Sequence, residues 1–188
     1  MGTWTKVKWT QAGQIAELIE RPGIADPEAS PETGYRQLRT QGDLGTAVRY
    51  LAHALPRVEA IAWAAQLLDE RSRATKLLVT ERQSLDRTIR WLEQPTDEYR
   101  RAAFEAAGHA PEDSPERLLA YAVFMSGGSI SEPDLPAVQP QHHVCGQLAA
   151  AAVLTAAYRS PAPDAALSAA CDLGDRIASD GAKAPVRE

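Results

Sequence analysis

The side chains nearest to a chemical constellation are His142, His143 and Cys145, two imidazoles and a thiol within one short run. Imidazole nitrogen and thiolate sulfur are zinc ligands, and they are also the base and nucleophile of cysteine hydrolases. As a metal site the run is incomplete, because adjacent histidines on a helix point to different sides and a fourth ligand is missing. As a nucleophile and base, Cys145 and His142 lack any nameable oxyanion donors. The structural reading puts His142 or His143 in the first turn of a helix that follows Pro140, with its donors in water or bonded to the preceding loop. We therefore assign no catalytic residue, no metal and no cofactor. An enzyme using Cys145 and His142 remains an alternative, and a depressed thiol pKa would be its signature.

Other candidates reduce to punctuation. Ser126 in FMSGGS stands beside glycines, but the Gly-x-Ser-x-Gly pattern and the strand before it are absent, so Gly127 and Gly128 read as the end of a helix. The carboxylate pairs Asp69-Glu70, Asp97-Glu98 and Glu112-Asp113 fall at expected helix ends, where they complement the dipole or face water. No glycine-rich run is followed by Lys-Ser or Lys-Thr, which leaves no phosphate loop. Cys145 and Cys171 read as two free, buried thiols rather than a disulfide framework.

The elements that must position these residues are helices. Ile15, Leu18 and Ile19 make a short apolar stripe that stops before Arg21-Pro22-Gly23. Residues 21–42 hold Pro22, Pro27, Pro31, Gly23, Gly34 and Gly42 and few large apolar side chains, so a flexible loop is expected there. Asp43 caps a helix through Leu55, and Pro56 opens another in which Val58, Ile61, Ala62, Ala65 and Leu68 form one buried face. Thr80 is expected to cap a helix carrying Leu85, Ile89 and Leu92; Trp63 and Trp91 read as core residues. Pro95 and Thr96 then mark a sharp junction, with Asp97 and Glu98 in the first turn of a new helix and Arg100 and Arg101 behind them. Ser114-Pro115-Glu116 opens a helix apolar on most sides. After the loop from Ser129 to Pro140, a nearly uncharged helix runs from about Val144 to Tyr158, and a last one starts near Pro163.

The expected fold is all-α: a single-domain, alanine-rich bundle of about eight helices. Within it, 1–10 is an extended arm, 21–42 a flexible loop, 43–179 the helical core and 180–188 a disordered tail. A chain of 188 residues with 44% apolar content can build one sizeable core. A net charge of -5 argues against nucleic acid as a partner. No apolar run reaches the roughly 20 residues needed to span a bilayer. The amino end lacks a secretory pattern, so a cytoplasmic location is expected.

What remains is surface. The loop presents Ser129, Ile130, Asp134, Leu135, Pro136, Val138 and Pro140, with His142 just beyond; the arm presents Trp4 and Trp9. Apolar and aromatic anchors on proline-stiffened segments suit a protein partner, because less ordering entropy is lost on binding. The alternative is that the loop simply packs across the bundle.

Three segments, LPRVEAIAWAA, IRWLEQPTDEYRRAAFEAA and LLAYAVFMSGGSISEPDLPAVQPQHH, resemble a little-characterised family of small bacterial helical proteins. The shared pattern is a Trp-bearing helix, a proline, an Arg-rich helix and a Ser-Gly-Gly-Ser loop, and it covers roughly Leu55 to Tyr158. Family sequences carry an aromatic where Met125 stands here and a more proline-rich run before His142. The resemblance implies association with type VI secretion gene clusters and a non-enzymatic adaptor or co-chaperone role in loading an effector. Its implied partners are an effector or a larger chaperone. An immunity protein that sequesters a toxin is the alternative, since net acidity suits a basic target.

Overall fold

The computed structural model describes residues 3–132 and 134–182. Among these the chain is all-helical: α1 (Ala12–Leu18), α2 (Pro31–Gln41), α3 (Leu44–Ala54), α4 (Arg57–Ala74), α5 (Val79–Glu93), α6 (Asp97–His109), α7 (Pro115–Phe124), α8 (Val144–Tyr158) and α9 (Pro163–Asp180). Side-chain caps start several of them where polar residues precede apolar periodicity. Asp43 accepts from Thr46 N, Thr96 from Tyr99 N and Ser114 from Arg117 N. Each satisfies a donor that a helix start would otherwise leave open.

The central layer is α7 against α8. Helix α7 also packs on α4, α5 and α6, and α8 on α3, α4 and α9. Helix α8 is alanine-rich along the faces it buries, with Ala149, Ala152 and Ala156 all inside, so neighbouring backbones approach closely. Bulk comes from Tyr50, Leu51, Ile61, Trp63 and Leu119, and Trp91 is buried as well. The indole of Trp63 donates to the Ala170 carbonyl at 2.9 Å, which ties α4 to α9. Gly174 makes room for that contact, since a Cβ there would sit 2.7 Å from Leu51 Cδ1 and 3.3 Å from Trp63 Nε1.

The structure corrects five expectations. Half of the 21–42 loop is helix α2, capped by Ser30 with Pro31 in its first turn and ended by Gly42 in the left-handed region (φ 74°). Its buried face is Tyr35 and Leu38, with Gly34 lying against the Tyr50 hydroxyl. The periodicity was too short to see, because close approach at Gly34 replaces a third large side chain. Val58 is exposed rather than on the buried face of α4, and Pro56 caps that helix. Helix α5 is capped at Leu78, two residues before Thr80, with Glu81 reaching back to Leu78 N at 2.8 Å. Of the 180–188 tail, Asp180 closes α9, and residues 183–188 lie outside the described residues.

The arm is the fifth correction. Trp4 is buried, packs at a tilt against Tyr35 at 4.9 Å between ring centroids, and donates from its indole to Asp175 at 2.6 Å. Trp9 is half-buried and its indole donates to the His53 carbonyl at 2.7 Å. The backbone of the arm bonds outward too, Thr5 N and Lys6 N to the Ala178 carbonyl and Lys8 N to that of Ala54. Residues 3–10 thus seal the ends of α3 and α9, with the Trp4 indole inside and the Trp9 indole half-buried on the His53 carbonyl.

Candidate functional site

The segment between α7 and α8 is built from the helix end outward. The last carbonyls of a helix have no partner within it and need donors from elsewhere. Here one donor is Arg100 of α6, only 4% exposed. Its Nη1 donates to the Phe124 carbonyl at 2.7 Å and its Nη2 to the Ser129 carbonyl at 2.7 Å. Arg101 Nη2 donates to the carbonyls of Ser129 (3.2 Å) and Ser131 (3.0 Å), and Arg57 Nη1 to that of Ser126 at 2.8 Å. A guanidinium offers five N–H donors in a fixed fork, so these side chains can satisfy several carbonyls without leaving one open.

Asp97 holds the two arginines in register. Its carboxylate accepts from Arg100 Nε (2.9 Å) and Nη2 (2.5 Å) and from Arg101 Nε (2.9 Å). Hydrogen bonds from Arg100 and then Arg101 hold this carboxyl below its ordinary range. Gly128 completes the clasp. Its φ of 70° is in the left-handed region, and an added Cβ would meet the Arg100 guanidinium at 3.1 Å.

Within the loop, Ile130 N donates to the Val138 carbonyl at 2.8 Å, and the Ser129 hydroxyl accepts from Val138 N and Ser131 N. The two limbs are thereby closed on each other. Leu135 is 58% exposed and Val138 51%. Asp134 and Pro136 are exposed beside them, while Ser129, Ile130 and Pro140 are half-buried at the base. At the end of α7, Phe124 stacks on Phe104, 44% exposed, at 4.2 Å, and Arg100 lies over the Phe124 ring, 4.7 Å from its centroid. Phe104 and Arg57 were not singled out in the sequence. The Arg100-Arg101 pair was visible there only as helix charge.

The chemical candidates separate. His142 is exposed and meets His143 edge to face at 5.4 Å, whereas Cys145 is fully buried in the first turn of α8. Burial pushes the Cys145 thiol up to about 12, the opposite of what a nucleophile requires. Both cysteines are free. No group of histidine, cysteine or carboxylate side chains among the described residues could hold a metal ion. Ser126 donates its hydroxyl to the Val123 carbonyl at 2.7 Å, as a helix-ending serine does. Among the described residues no helix is long and apolar enough to cross a membrane.

Fold and loop together define an all-α, alanine-rich bundle that carries an arginine-clasped loop between its two central helices. Residues 34–178 match the family of unknown function DUF6931, and the chain belongs to that family. No curated protein and no solved structure matches it.

Proposed function

We propose that this chain is a non-enzymatic protein-binding module, an adaptor or co-chaperone, whose contact surface is the loop at 129–140. One observation carries the reading: Leu135 and Val138 stand exposed on a loop whose base is braced by Arg57, Arg100 and Arg101. Apolar side chains in water are a cost to a monomer, and a loop ordered beforehand loses little entropy on docking. Trp4 lies inside the bundle and the Trp9 indole is tied to the His53 carbonyl, so the loop is the candidate patch.

The sequence resemblance supports a finer form of the same reading, a cytoplasmic protein that helps load a type VI secretion effector. The partner would then be that effector or a larger chaperone. The discriminating experiment is co-purification from the native host with the wild type and a Leu135→Asp, Val138→Asp variant. A partner retained by the folded wild type and lost by the variant supports the site. Equal retention overturns it. Net acidity favours an immunity role as the second reading, and rescue of cells from a co-encoded toxin separates the two.

A further inference from the structure

Among the described residues the four most exposed large aliphatic side chains fall into two pairs. Leu135 and Val138 stand on the loop, and Leu78 (58% exposed) and Val79 (74%) on the corner between α4 and α5. The corner is ordered as the loop is. Leu77 packs on the core, and the Glu81 carboxylate accepts from Leu78 N at 2.8 Å, so Leu78 and Val79 are held outside with little freedom left to lose.

The two pairs sit in opposite charge. From 129 to 140 the sequence holds no lysine, arginine or histidine, and Glu132 and Asp134 are exposed beside the apolar pair. The arginines at the base of the loop are spent on backbone carbonyls and on Asp97. Around the corner Arg73 and Lys76 are exposed, and Lys76 takes part in no ion pair among the described residues. Of the acids there, Asp69 is turned to Arg73 and Arg82, Glu81 to the Leu78 amide, and Glu116 is buried on Arg71; Glu70 alone is exposed. The pairs also lie at opposite ends of one helix. Arg71 bonds Glu116 in the first turn of α7 at 3.2 Å, which places the corner beside the start of that helix, whereas the loop leaves from its end. The 10 residues of α7 separate those ends by about 15 Å. Tied at its base, the loop of one copy cannot reach the corner of the same copy.

We propose that the chain associates with itself head to tail, the loop of one copy seated on the α4–α5 corner of the next. Leu135 and Val138 meet Leu78 and Val79 at the centre, and Glu132 and Asp134 meet Lys76 and Arg73 at the rim, the arrangement that protein interfaces favour. Because the two surfaces differ, the contact is heterologous: every added copy leaves one loop and one corner open, which gives a growing chain or, where the rotation closes, a ring. The proposal rests on the reading of the loop as a contact surface. It names a second copy as an occupant, one that an effector or chaperone would have to displace.

The test is sedimentation equilibrium of the full chain from about 5 to about 500 µM, the range of a small interface. Association that rises with concentration is expected, and salt at about 0.5 M should weaken it severalfold by screening the rim. Two variants then separate the surfaces: Leu78→Asp with Val79→Asp at the corner, and Leu135→Asp with Val138→Asp on the loop. All four side chains are exposed, and an acid suits a helix start, so thermal melts should show both variants folded. Each variant alone should be monomeric. Their equimolar mixture should form a one-to-one pair and nothing larger, because the corner variant keeps its loop and the loop variant its corner. A wild type monomeric throughout, self-association of either variant alone, or no pair in the mixture would each overturn the proposal. A monomeric wild type that still co-purifies a host protein through Leu135 and Val138 overturns the proposal alone. Wild-type association that the loop variant keeps, with host co-purification also kept, overturns the loop reading with it.

Discussion

Arg100 Nη2 donates to the carbonyl oxygen of Ser129 at 2.7 Å, so the loop between the two central helices is held by a helix it does not connect. Because Arg100 also satisfies the Phe124 carbonyl, its removal opens that acceptor and leaves the Ser129 carbonyl to Arg101 alone. Arg100→Lys keeps the charge but not the fork, and should cost about 2 to 3 kcal/mol, measured by urea unfolding. Limited proteolysis should show cleavage within 129–140 rising in the variant. An unchanged digestion pattern would mean that the clasp does not order the loop.

Gly128 should be as sensitive as the arginine it faces. Alanine there combines a left-handed φ with a contact at 3.1 Å to the guanidinium, and about 1 to 3 kcal/mol of stability should be lost. Gly127, where an added Cβ meets nothing, is the internal control for thermal melts of both alanine variants.

Gly174→Ala pits helix propensity against packing. Alanine is favoured by about 1 kcal/mol in a helix interior. Its methyl would collide with the fully buried Leu51 and crowd the Trp63 indole, a strain of about 1 to 3 kcal/mol. Net destabilisation is expected, with tryptophan fluorescence reporting the disturbed Trp63 environment.

His53 makes stability depend on pH. Burial, reinforced by Lys8 and His143, lowers its pKa from the ordinary 6.5 to about 4. Above 6.5 the imidazole is neutral in both folded and unfolded chains, and its contribution is complete. As the pH falls from 6.5 to about 4 the unfolded chain takes up a proton that the folded one refuses, and up to about 3 kcal/mol is lost. His53→Asn should flatten this part of the profile in urea unfolding between pH 4 and 7.5.

Glu116 acts in the opposite sense. It is fully buried, paired with Arg71 at 3.2 Å, and its Oε2 has no partner; desolvation raises its pKa. A carboxyl with a raised folded-state pKa is penalised when ionised, and the penalty fades as the pH falls through that pKa. The stability of wild type relative to Glu116→Gln should therefore rise on acidification from neutral pH. A difference that stays constant or falls would show that the Arg71 pair outweighs desolvation.

Much of the architecture was legible because its signals are local. Thr96 before Asp97, Ser114 before Pro115 and Asp43 before Leu44 are caps whose chemistry acts within one turn, and each starts a helix as read. The sequence by itself also determined that α7 and α8 would be central, since helices with so little charge have nowhere else to go. Tertiary structure decided everything that depends on distant partners. It turned Trp4 inward through Asp175 and Tyr35, and it made α2 from two apolar residues and a glycine against Tyr50. It also enlisted Arg100 and Arg101 to hold a loop 28 to 30 residues away in the chain. The reason is physical: a cap or an apolar stripe is a property of neighbouring residues. The destination of a guanidinium or an indole is settled only when another element brings an acceptor within about 3 Å.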